Sequence, residues 1–180
     1  MSQSLTTTNK QQLAGAADNS PQQYLTFSLG GEVFALGILN VKEIIEFGNI
    51  TEIPMMPAFI RGVINLRGAV VPVIDLSARF GGAASTVSRR TCIVIVELGS
   101  GDDRQDLGVI VDAVNEVLEI PRADIEPPPS FGAKIRADFI QGMGKVAGTF
   151  VIILNVDRVL STEEIAMLTG INGEQTGEDQ

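Results

Sequence analysis

Apolar and polar residues alternate over residues 24–29 (YLTFSL). Tyr24, Thr26 and Ser28 fall on one side of an extended chain, and Leu25, Phe27 and Leu29 on the other. Gly30-Gly31 supplies a tight turn, and EVFAL returns as the second strand of a hairpin. In GILNVKEIIEF, Ile38, Val41 and Ile45 recur at helical spacing, while Ile44, Ile45 and Phe47 also fit the start of a strand. One or two helical turns and a strand are both compatible with this stretch. Pro54 and Pro57 then require an extended connector. RGVINLRGAVVPVIDL reads as a hairpin turning near Gly68-Ala69. Its second strand is apolar on both faces, so both faces should be covered. Pro72 lacks a donor and suggests a bulge or an edge position. Residues 76–80 fit a short helical turn.

The same order then returns. VKEIIE recurs as VNEVLE from Val114, and FIRG (ending at Gly62) as FIQG (ending at Gly142). A second glycine follows six residues later in each, and the runs end in IDL and LNV. RTCIVIVELG and LGVIVDAV repeat the opening hairpin around an acidic loop. Two units of like pattern argue for two similar small β-substructures. Each unit is hairpin, bent VxExxE segment, proline-bearing connector and hairpin, about five short strands, which suits a small barrel. Pattern alone leaves open whether each barrel is one contiguous copy or exchanges a hairpin with the other.

Residues 1–21 are polar and without apolar periodicity, and read as a disordered tail. The ordered region runs over 22–169, with a first repeat at about 22–81 and a second at about 89–169. A Ser161/Glu164 capping box opens a C-terminal helix stopped by Gly170. Residues 170–180 read as a disordered acidic tail.

The net charge of -9 gives the field the wrong sign for nucleic-acid binding through phosphates. The absence of histidine removes the commonest general base, metal ligand and phosphoacceptor. The single Cys92 forms no internal disulfide or cysteine-rich zinc site and reads as packing. No segment resembles a signal peptide, and no apolar run reaches membrane-spanning length, so neither secretion nor direct membrane insertion is expected.

Several motifs invite chemistry. GMGKVAG lacks the Ser/Thr that follows lysine in a phosphate-binding loop, and its surroundings read strand–turn–strand. Asp102, Asp103 and Asp106 do not match an EF-hand loop and read as a solvated turn. Glu43 with Glu46, and Glu116 with Glu119, are paired carboxylates that a hydrolase could use; exposed polar positions are the alternative. Arg67, at the predicted hairpin tip in NLRG, shares a face with Arg61, Val63 and Asn65 if the strand is regular. An arginine on a rigid hairpin makes planar, bidentate contacts, although it also reads as an ordinary surface residue.

Together, YLTFSLGGEVFALGILNVKEIIE, PAFIRGVINLRGAVVPVIDL, FIQGMGKV and ILNVDRVLSTEE resemble the CheW family of bacterial chemotaxis coupling proteins. The resemblance covers roughly residues 22–168. It implies a mainly β fold of two SH3-like, five-stranded barrels with a few short helices. It also implies a non-enzymatic adaptor without metal or cofactor, bridging the cytoplasmic tips of transmembrane chemoreceptors and the regulatory domain of the CheA histidine kinase. Such a protein is cytoplasmic and recruited to receptor arrays at the inner face of the membrane. Carried over by motif, the receptor-binding positions are Val41, Glu43, Gly62, Asn65, Leu66 and Arg67. Val41 offers an apolar contact, Glu43 a polar one, Gly62 close approach, and Arg67 an anchor. Kinase contacts are assigned to strand ends and loops of the second copy. A CheW-like adaptor of a type IV pilus or developmental pathway, and a carboxylate-based hydrolase, are the alternatives.

Overall fold

The computed structural model describes residues 21–82, 84–99, 104–128, 139–160 and 164. Among them, eleven strands form two sheets. The opening hairpin pairs Gln22–Leu29 (β1) with Glu32–Gly37 (β2), Leu29 facing Glu32 across the two glycines. A 3-10 turn at Ile38–Asn40 leads directly into Val41–Glu46 (β3). The ambiguous stretch therefore holds both structures in succession, and VKEIIE itself is strand. A second hairpin joins Ile60–Leu66 (β4) to Ala69–Asp75 (β5). A single helical turn, Leu76–Arg79 (α1), follows. The second copy supplies the hairpin Cys92–Leu98 (β6) and Gln105–Val111 (β7), then Ala113–Ile120 (β8). It continues with the short Ile125–Glu126 (β9) and the hairpin Ile140–Val146 (β10) and Thr149–Leu154 (β11).

The two copies are interlaced. One sheet runs β3-β6-β7-β5-β4 and the other β8-β1-β2-β11-β10-β9. Each copy's opening hairpin is thus inserted between strands of the other copy. The insertions match in detail. β1 meets β8 with a register shift at Thr26/Phe27, and β6 meets β3 with one at Val41/Glu43. The far strand of each inserted hairpin runs parallel to its neighbour: Ala35 of β2 beside Ile153 of β11, and Gly108 of β7 beside Val73 of β5. Parallel neighbours need a long connection between them, and the exchange provides one.

Each sheet closes because one strand bends and reaches both edges. Beyond β3, Thr51 exchanges both backbone hydrogen bonds with Val63 of β4, each at 2.9 Å. In the other copy, β8 passes through a 3-10 turn at Arg122–Asp124 into β9, which pairs with β10. Counting each bent strand once gives two five-stranded barrels. The repeated FIxG glycines stand at the crossings. Gly62 has φ +145°, and a β-carbon on it would collide with the carbonyl oxygen of Thr51. A β-carbon on Gly142 would lie 2.6 Å from Ile125 Cγ2. Both glycines lie where their hairpin changes register, so FIxG encodes a bulge that admits the closing strand.

Three apolar clusters result. Val73, Ile93, Ile95 and Ile110 fill one barrel, and Tyr24, Ala35, Ile120 and Ile153 fill the other. The largest cluster lies between the barrels, where Phe27, Phe34, Val96 and Val109 from the exchanged hairpins meet Ile74, Phe139 and Leu154. β5 therefore has a covered surface on each side: Val73 points into its barrel and Ile74 into the seam between barrels. Pro72 is not at a sheet edge, since β5 is flanked by β4 and β7; the parallel ladder to β7 starts one residue later, at Val73. The expectations for residues 1–20, Asp102, Asp103, Ser161 and the C-terminal tail lie outside the described residues.

Candidate functional site

The β4–β5 hairpin turns on Arg67 and Gly68, both with positive φ, at 53° and 86°. A two-residue hairpin of type I′ needs that pair of conformations, and asparagine or glycine adopts the first at least cost. Here an arginine adopts it. Asn65 secures the turn, its Oδ1 accepting from the Gly68 N–H at 2.9 Å. Arg67, displayed at 73% side-chain exposure, then reaches across to β3 and grips Glu43 with both ends of its fork. Nη1 donates to Oε1 at 2.6 Å and Nη2 to Oε2 at 2.9 Å. That hydrogen bonding, aided by the charge, holds the Glu43 carboxyl below the usual carboxylate range and raises the Arg67 guanidinium further.

The remaining predicted positions fall around this pair in different roles. Val41, two residues before Glu43, is half-buried against the seam between the barrels. Leu66 is half-buried over the interior of its own barrel. Gly62 is buried, and the close approach its missing side chain allows is made by the chain's own Thr51. Arg61, Val63, Asn65 and Arg67 do not share one face. The register shift at Gly62 and the turn geometry at Arg67 break the alternation: Val63 is buried and Arg61 turns to Asp75. The turn leading into Val41 carries the almost wholly exposed Leu39. Ile38, Leu39 and Asn40 line a cavity of about 540 Å³, with Tyr24, Glu119 and Gln141 opposite.

The paired carboxylates are separated by their secondary structure. Glu43/Glu46 lie on β3 and Glu116/Glu119 on β8, in regular register. Residues three apart on a strand face opposite sides, so neither pair converges on one substrate. GMGKVAG is strand and turn, within β10 and the start of its hairpin. Asp106 is engaged by Lys42 Nζ at 3.0 Å. Among the described residues, no three acidic, cysteine or histidine side chains gather as a metal site, and no helix is long and apolar enough to cross a membrane.

Two residues that pattern reading passed over organise the surroundings. Asp75, wholly buried, accepts from Arg61 Nη1 at 3.2 Å, the Ser77 and Ala78 N–H groups, and both the N–H and Oγ of Ser85 at 2.8 Å. It caps α1 and ties down the connection to the second copy; the only signal for it was its place in IDL. Arg79 of α1 places its guanidinium over the rings of both Phe59 and Phe139, a contact no local pattern announces.

The whole arrangement has counterparts among known proteins. Residues 23–164 match the model of the CheW-like domain. The chain is 31% identical to the chemotaxis protein CheW of Klebsiella aerogenes over 87% of its own length and 92% of that protein's. It is 33% identical to CheW of Rhizobium meliloti over 81% and 92%, and 32% identical to the protein FrzA of Myxococcus xanthus over 82% and 91%. The crystal structure of the scaffolding protein TtCheW from Thermoanaerobacter tengcongensis superposes with a TM-score of 0.73 at 39% identity, covering 81% of this chain and 91% of that one. Interlaced barrels, repeated FIxG crossings and these matches lead to one assignment: the chain belongs to the CheW-like domain family of adaptor and scaffold proteins.

Proposed function

We propose that the chain is a non-enzymatic adaptor that links the cytoplasmic tips of transmembrane chemoreceptors to the CheA histidine kinase and passes receptor state to kinase activity. The observation that carries this reading is the Arg67–Glu43 fork at a positive-φ hairpin tip. A strained, bulky residue at the end of a rigid hairpin costs about 1–3 kcal/mol and persists only when the surrounding structure holds it there. What it gains is a planar charged group at a defined place on the surface, suited to a protein partner. In this reading Val41 and Leu66 add apolar contact and Asn65 and Glu43 hold Arg67, while Gly62 supports the face from beneath. A receptor's helical tip would dock by helix-in-groove packing. The CheA regulatory domain would use strand ends and loops of the second copy. The working place is the cytoplasm, at receptor arrays on the inner face of the membrane.

The test is reconstitution. Receptor signalling fragments, CheA and the purified chain are combined, and kinase autophosphorylation is followed with and without the chain. Receptor control that requires the chain supports the proposal; kinase activity indifferent to it refutes it. FrzA, as similar in identity as the CheW relatives, favours a second reading, an adaptor for another chemosensory pathway of pilus or developmental type. Pull-down against receptor fragments of the two classes separates these readings.

A further inference from the structure

Arg79 occupies a singular place in a duplicated molecule. Its guanidinium carbon lies 5.0 Å from the Phe59 ring centre and 4.9 Å from that of Phe139. Those two rings are the same position of FIRG and FIQG, one from each copy. Its Nε donates to the Val159 carbonyl at 2.9 Å, and its Nη2 pairs with Glu164 Oε1 at 3.0 Å. Val159 is itself the counterpart of Arg79: it stands four residues after Asn155, as Arg79 stands four after Asp75. The residue and its counterpart therefore meet across the approximate twofold relation between the copies. Space on such an axis admits one guanidinium, since two would be like charges in contact. The duplication is broken here, with arginine in one copy and valine in the other.

We propose that Arg79 is a positioning residue: in contact with both Phe59 and Phe139, one ring from each copy, it fixes the angle between the two barrels and thereby sets where the second barrel stands relative to the Glu43–Arg67 face. The seam is otherwise apolar, with Phe27, Phe34, Phe80 and Phe139 following one another at centroid spacings of 6.1, 5.9 and 5.7 Å. Burial of apolar surface is non-directional and holds the barrels together without selecting one angle. A planar cation held over one ring from each copy, with two directed hydrogen bonds, does select one. The Arg79 side chain is only 16% exposed, so water does not loosen these contacts.

Residual dipolar couplings of backbone amides test the angle. In the wild type a single alignment tensor should fit both barrels, β3–β7 and β1, β2, β8–β11. In Arg79→Met the common tensor should be lost while each barrel keeps its own folded amide spectrum. One tensor still fitting both barrels of Arg79→Met overturns the proposal. If Arg79→Met does not fold, Arg79→Lys, which keeps the charge but not the planar fork, is read in the same way. The consequence for the partner face rests on the adaptor reading above, and retention of a receptor signalling fragment separates the two. Retention lost together with the common tensor supports the positioning role. Unchanged retention despite an altered angle overturns it. A wild type that retains no fragment overturns the adaptor reading and leaves the angle measurement standing.

Discussion

Thr51 occupies, with its carbonyl oxygen, the space where a β-carbon on Gly62 would lie. The contact closes the β3–β7 barrel, because Thr51 and Val63 exchange their backbone hydrogen bonds beside it. Gly62→Ala should force the closing strand away from β4 and strain the backbone at φ +145°. A cost of about 3 kcal/mol is expected, from overpacking and lost backbone pairing together. Thermal and denaturant unfolding check it. A loss under about 1 kcal/mol would show that the closing strand yields easily.

Charge reversal at Arg67 acts on a different property. The residue is mostly exposed and its pairing is on the surface, so Arg67→Glu should leave the fold intact. It places two carboxylates together at the hairpin tip and removes the planar donor. Receptor-dependent kinase control should be lost while the unfolding transition stays near that of the wild type. Undiminished control would remove Arg67 from the partner face.

The same pair carries a pH signature. The Arg67 hydrogen bonds lower the folded-state pKa of Glu43 below its ordinary value. The interaction is therefore fully present above the ordinary carboxylate range and is lost as pH falls through the depressed folded value. Titration of the Glu43 side-chain carboxyl by NMR should show its midpoint below the ordinary glutamate value. In Arg67→Ala that midpoint should rise toward the ordinary value. A midpoint unmoved by the substitution would mean the fork is not formed in solution.

Met55 combines full exposure with a positive φ of 65°. It has no packing to lose and pays for a left-handed backbone that asparagine adopts more readily. Met55→Asn should stabilise the protein by about 0.5–1 kcal/mol. A higher melting temperature confirms the expectation, and a lower one refutes it.

Asp75→Asn tests the buried hub. Asparagine stands at the corresponding position of the second copy, Asn155, so the shape is tolerable. What is lost is the charge-assisted bonding to Arg61 and the full acceptor capacity that Ser85, Ser77 and Ala78 use. A cost of about 2–4 kcal/mol is expected. Amide exchange should accelerate at Ser85, since its N–H is held by that carboxylate.

Local chemistry made much of the fold legible. Gly30-Gly31 announced a hairpin, alternation over β1 set its faces, and the recurrence of FIxG located the two matching bends. Arg67 stood out because an arginine at a rigid hairpin tip can make planar, bidentate contacts; that it adopts a left-handed backbone did not show in the sequence. The exchange of hairpins could not be seen, since a strand's sequence shows which residues it buries but not which strand it lies beside. Their choice of β8 and β3 is made by contacts among residues far apart in sequence. Gly62 was read as room for a partner because a missing side chain does not say what fills the gap. Asp75 and Arg79 are defined by neighbours that only folding brings to them.

The interlacing of the two copies reaches beyond geometry. A cut in the connection at residues 84–88 would leave two fragments, each holding the middle strands of the other's barrel. Neither could complete itself, whereas mixing them should restore the native protein, so the halves stand or melt as one. Such an architecture is what a pair of identical single-copy chains, clasped by swapped arms, becomes once joined end to end.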